Sequence, residues 1–195
     1  MAQNMGMGVL GDSKAQFKRK FRWTFSLTTP CGIIPEQIVK VANRPSLTIE
    51  ETEINYLHGK MWIPGKASWE TLSVTYYDVV NAHGPTSDIS NLYNWMSTVY
   101  NFNDKAGNVT MSSVKGSGYG NDGYAGMGVL IMYDGCGKPM ETWKLEHVWP
   151  TSINFGDLDY SSSEESNIEL TLRYSTATYS NQCGTPVETC ACKGC

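Results

Sequence analysis

Charge is scarce in this 195-residue chain: 17% of its residues are Asp, Glu, Lys or Arg, against about 25% in ordinary soluble domains. That shortage excludes a coiled coil or a long charged helix, and a hydrophobic share of 41% excludes a disordered chain. No stretch comes near ~18 consecutive apolar residues, so the sequence offers no transmembrane helix and no membrane partner. An excess of basic residues is missing too. The net charge is -4 and the isoelectric point near 5.4, which makes the whole chain a poor magnet for nucleic acid. Histidine is rare: His58, His83 and His147 lie far apart, with no ligand spacing between them. No GxSxG, HExxH or P-loop lysine pattern occurs. The chain is therefore read as no enzyme, with no catalytic, cofactor-binding or metal residues assigned.

What the chain does have is Gly, Thr, Tyr and Trp, a composition that favours strands. From Phe17 to Leu27, Phe17, Phe21, Trp23, Phe25 and Leu27 alternate with polar neighbours, as a half-buried antiparallel strand does. Pro30 and Cys31-Gly32 then predict a turn, and Pro64-Gly65 predicts another. Leu72, Val74 and Tyr76 share one face of the next strand. Met127, Val129, Ile131 and Tyr133 alternate as well, but Leu130 and Met132 make the opposite face equally apolar. Such a strand expects cover on both sides. Asp134 to Gly137 reads as a turn into a second strand that aligns Trp143, Leu145 and Trp149, with His147 a structural residue on that same face. Ile168, Leu170, Leu172 and Tyr174 mark the last alternating strand.

One period differs. Ile89, Leu92, Tyr93, Met96, Val99 and Tyr100 fall on one stripe of an α-helix at about 86–101. The fold class is therefore mainly β: an antiparallel β-sandwich or small β-barrel with one flanking amphipathic α-helix. Residues 1–16 form an arm, either disordered alone or ordered only against a neighbouring subunit. Met1 to Leu10 lacks the basic start and apolar run of a secretory signal. Residues 17–178 form the β domain, with a Gly-rich loop at about 103–126, and 179–195 form a Cys-rich tail. Gly118 to Gly123 spells GxGxxG, but its flanks are loop and β rather than a βαβ unit, so the match is a coincidence of letters. In the tail, Cys183, Cys190, Cys192 and Cys195 leave three states open: a zinc site, disulfides or free thiols.

Several runs together resemble one family. Trp69 to Asp78 leads into the helix. Trp143 to Ile153 carries Trp149-Pro150-Thr151, followed by Gly156-Asp157-Leu158-Asp159-Tyr160 and the closing strand Asn167 to Tyr174. This order is similar to the tail tube proteins of contractile-tailed bacteriophages, the T4-type family, over roughly residues 17–178. The Gly-rich stretch and the cysteine tail have no counterpart in that pattern. The resemblance implies a structural virion protein, assembled in the host cytoplasm and located in the phage tail. Its copies would form homohexameric rings stacked into the inner tube, a conduit for DNA during ejection. Implied partners are the protein itself, the sheath, baseplate and tail terminator proteins, the tape measure protein inside the tube, and phage DNA in transit without sequence-specific binding. If each copy gives four strands, a closed barrel of about 24 strands has a radius of roughly 25 Å.

Glu141, Glu146, Asp157, Asp159, Glu164, Glu165 and Glu169 against Lys144 alone suggest an acidic wall that repels DNA. Three other readings compete. One is the tube of a tailocin or a type VI-like system. A second is a monomeric β-barrel module with a ligand in its mouth, and a third is an enzyme using the cysteine tail.

Overall fold

The computed structural model describes residues 18–79, 88–99, 123–134, 136–161, 163–181 and 185–186. The arm, the Gly-rich stretch as far as residue 122 and all four tail cysteines lie outside them.

Eleven strands and one helix are present among these residues: β1 Trp23–Thr29, β2 Gly32–Ile34, β3 Val39–Ala42, β4 Leu47–Tyr56, β5 Gly59–Trp69, β6 Leu72–Tyr77, α1 Asp88–Val99, β7 Gly126–Tyr133, β8 Pro139–Asn154, β9 Asn167–Arg173, β10 Thr176–Asn181 and β11 Thr185–Pro186. All pairings are antiparallel. A first sheet runs β2-β1-β7-β8-β10-β11, and a second runs β8-β9-β6-β3. The 16-residue β8 belongs to both. Its Glu141–Glu146 part lies between β7 and β10, and its Trp149–Asn154 part pairs with β9. The two sheets face one another as an open sandwich. The sheet continues past residue 178, because β10 reaches Asn181.

The switch between sheets has a local cause. Gly126 pairs with Val148 and Gly128 with Leu145, so β8 holds an extra residue there. His147 takes φ 53°, in the left-handed region that few non-glycine residues occupy. The bulge resets the alternation, so Leu145 and Val148 both face the core and Trp149 does not continue the Leu145 face. His147 therefore sits at the corner rather than within a regular strand. Pro150 follows, where β8 joins β9, and a second irregularity lies between Pro150 and Ser152. Thr151 Oγ1 donates to the Thr171 carbonyl at 3.0 Å. A proline and a hydroxyl suit a corner where the regular ladder breaks.

The core lies between the sheets. Phe25 and Leu27, Leu72, Val74 and Tyr76, Leu130 and Leu145, and Ile168, Leu170 and Leu172 are all buried in one cluster. Each such side chain contributes about 1.5–3 kcal/mol relative to exposure. Helix α1 covers the cluster with Leu92 and Trp95. The helical stripe is thus rotated from the one its sequence suggests: Trp95 is fully buried, while Tyr93 is 40% exposed. Trp95 Nε1 donates to the Tyr124 carbonyl at 2.8 Å. A Cβ on Gly126 would meet the Thr28 carbonyl at 2.6 Å and the Trp95 ring at 3.3 Å, so only glycine lets strand and helix approach this closely.

In β7 the core face is Leu130 and Met132. Met127, Val129, Ile131 and Tyr133 form the outer face and are half-buried. The turn into β8 is built by Asp134, whose Oδ1 accepts from the backbone of Cys136 at 2.7 Å and Lys138 at 2.8 Å. These bonds hold the Asp134 carboxyl below its ordinary pKa.

Candidate assembly interface

Strands β4 and β5 pair only with each other. With a rise of ~3.3 Å per residue, the 11 residues of β5 extend roughly 35 Å. The turn is Leu57-His58, with Leu57 at φ 50°. Pro64-Gly65, expected to turn the chain, lies inside β5 at a bulge opposite Glu50. Proline is tolerated there because an edge position needs no donor, and glycine lets the backbone pass 3.1 Å (as Cβ) from the Glu50 carbonyl.

The hairpin root is anchored. Trp69 packs on the core and meets the Tyr174 ring in a tilted contact, centroids 5.8 Å apart, and Glu70 N donates to the Ser46 carbonyl at 2.9 Å. Beyond the root almost every residue is exposed. Ladder pairing puts Ile54 opposite Met61 and Thr52 opposite Ile63, so Ile54, Met61 and Ile63 share one face of the outer half. The other face carries Glu53 and Lys60, ion-paired at 2.6 Å, beside Trp62. Met61 and Trp62 are more than half exposed, and Leu57 at the tip is 86% exposed. A bare two-stranded ribbon is marginal in water, and an apolar patch of this kind marks a contact surface. This long hairpin is not foreseen in the sequence reading, which splits it at Pro64; the available signal is the tight Leu57-His58-Gly59 turn between two β-rich runs.

The first sheet offers a second unfinished surface. β2 covers β1 only at Leu27–Thr29, and β11 covers β10 only at Ser180–Asn181. Among the described residues, the Trp23–Ser26 edge of β1 and the Thr176–Tyr179 edge of β10 lack a neighbouring strand.

The acidic set does not act as one surface. Glu141 points into the sandwich and is 4% exposed. It accepts from Lys18 Nζ at 2.6 Å and Trp143 Nε1 at 2.7 Å, with Arg44 Nε 3.7 Å away. Burial raises its pKa, but the bonds from Lys18 and Trp143 and the charges of Arg44 and Lys18 outweigh this, leaving it below the ordinary glutamate value. Glu141 is therefore a structural clasp, joining the root of the arm and the β3–β4 link to β8, and not part of any wall. A group with a depressed folded pKa stabilises above its unfolded pKa and loses that contribution as pH falls through the folded value. The expected result is an acid-induced loss of stability below about pH 4.5 that Glu141→Gln reduces. Thermal melts from pH 6 to 3 measure it, and parallel curves for both chains would refute the clasp.

Glu146 is paired with Lys144 at 3.0 Å. Asp157, Asp159, Glu164, Glu165 and Glu169 line one hollow beside the link from β8 to β9. Among the described residues no cluster of His, Cys, Asp or Glu could hold a metal, and no helix is long and apolar enough to cross a membrane. Cys31 packs against the core and Cys136 is exposed in the β7–β8 turn.

The sequence pattern of the T4-like virus tail tube protein gp19 family matches residues 65–178, from the bulge of β5 into β10. The chain belongs to that family. As a tail tube protein it is a structural component of contractile phage-like particles and not an enzyme. No curated protein matches it in sequence. Solved structures share the fold at low identity. A chain of the anti-feeding prophage baseplate, 6-fold symmetrised, superposes with a TM-score of 0.61 at 15% identity, covering 86% of this chain and 97% of that one. The anti-feeding prophage tube-terminating cap gives 0.60 at 15%, covering 90% and 99%. The PVC sheath–tube complex, from an extracellular contractile injection system, gives 0.58 at 13%, covering 93% and 99%. The expected mainly β tail tube fold is thus present, as an open sandwich rather than a closed barrel.

Proposed function

We propose that six copies of this tail tube protein close into a ring, that rings stack into the inner tube of a contractile phage tail, and that the tube conducts DNA. The observation that carries this reading is the incomplete subunit. Among the described residues, its first sheet has two edges without a neighbouring strand and its hairpin carries apolar side chains that no other described element covers. Edge pairing would satisfy the free backbone groups of β1 and β10, and the hairpin would reach a copy in the adjacent ring. Four long strands per copy, β1, β7, β8 and β10, meet the about 24 strands of a closed wall. Sheath, baseplate, terminator and tape measure proteins are then its partners.

The tube of an injection system that carries protein cargo is the second reading, favoured by the fold shared with the anti-feeding prophage and PVC chains. Electron microscopy of the purified chain tests the assembly: hollow six-fold rings or tubes are expected, and a monomer at every concentration would refute it. Nuclease-protected DNA within native particles caught during ejection separates the two cargoes.

A further inference from the structure

We infer that the bore is lined by the outer face of the first sheet and is nearly uncharged, so that cargo slides because nothing binds it rather than because the wall repels it. This rests on the ring assembly proposed above.

Strand count decides which face turns inward. The second sheet has four strands, about as many as the first sheet brings to the wall. Packed sheets lie ~10 Å apart, so inside a wall of about 25 Å radius the second layer would sit at about 15 Å. A circle of that radius holds about 14 tilted strands, not the roughly 24 that six copies require. The second sheet, with α1 over the same core, must lie outside the wall. The face left for the bore is the one that points away from the core.

That face is readable from the register. Ser26, Val129, Lys144 and Thr178 lie in one row across β1, β7, β8 and β10, and Thr24, Ile131, Thr142 and Ser180 lie in the next. Its strands present hydroxyls and an aliphatic stripe. Among the described residues, the charged side chains on the strands of this face are Lys144 and Glu146, 3.0 Å apart on the same copy. At one rim Asp134, whose pKa is lowered first by the backbone bonds from Lys138 and Cys136, also lies near the cationic side chains of Lys138 and Arg22, so the rim carries both signs. The acids from Asp157 to Glu169 belong to the second sheet and its loop, so they face away from the bore. Duplex DNA binds proteins by exchanging counterions for lysine and arginine. Here each Lys144 is neutralised by Glu146, and each ring contributes no net charge along its strands.

Two measurements test this on tubes of the full chain. In a reconstruction that resolves side chains, Val129, Lys144 and Thr178 should line the bore. Wild-type tubes should release a threaded linear duplex at about 50 mM salt, so that little DNA sediments with them. Glu146→Gln tubes, with six unpaired Lys144 per ring, should retain it on sedimentation, and retention should be lost by about 200 mM salt. Lys144→Gln together with Glu146→Gln should restore wild-type behaviour. Tubes with Asp157, Glu165 or Glu169 on the bore, or Glu146→Gln tubes that retain no more DNA than wild type, would overturn the inference while leaving the assembly intact. If no rings form, the assembly reading itself fails and takes this one with it.

Discussion

Met61→Asp with Ile63→Asp should abolish tube formation while the subunit melts within about 2 °C of the native chain. Both residues lie on the outer half of the β4–β5 hairpin, exposed by 57% and 41%, and neither belongs to the core cluster. Surface changes away from such packing typically shift stability by no more than about 0.5 kcal/mol. In an assembled tube the same positions would be buried, and each aspartate would carry a desolvation cost of several kcal/mol. Repeated in every subunit, that cost outweighs any ring contact the hairpin makes. Sedimentation velocity with negative-stain microscopy reads assembly, and circular dichroism reads melting. Unaltered tubes would remove the hairpin from the interface. A large fall in melting temperature would mean that it supports the subunit instead.

Trp95→Ala is the substitution expected to cost the subunit most. The ring is fully buried, its Nε1 donates to Tyr124, and Gly126 is kept small beneath it. Truncating a buried tryptophan costs about 3–5 kcal/mol through lost transfer energy and an unfilled cavity. The Tyr124 carbonyl would also lose its partner. Domains of this size are stable by only about 5–15 kcal/mol, so the variant should unfold at markedly lower urea, and Trp95→Phe should fall between. A loss under about 1 kcal/mol for Trp95→Ala would show that α1 does not close the sandwich as described.

These two positions also mark the limits of sequence reading. The helix is visible from the spacing of Leu92, Met96 and Val99, yet Trp95 falls outside the stripe that spacing draws. Helical period gives a face about 100° wide, and which edge of it enters the core depends on the sheets it meets. The hairpin misleads for another reason. Proline and glycine normally punctuate turns, but Pro64 and Gly65 occupy a bulge, and bulges depend on a partner strand rather than on local letters. His147 is a similar case, because strict alternation assumes an unbroken ladder. Glu141 looks like one more surface acid until Lys18 and Arg44, over a hundred and nearly a hundred residues away in sequence, are brought to it.

The sequence by itself determined the strand-rich class, the alternating faces of β1, β6 and β9, the β7–β8 turn and the family. Each of these is written in short-range periodicity, turn chemistry or ordered motifs. Only the tertiary structure decided which sheet each half of β8 joins, which acids are buried or gathered in the β8–β9 loop, and where the described residues leave edges and apolar side chains uncovered. Those are properties of residues distant in sequence meeting in space, and burial and pairing exist only once they meet.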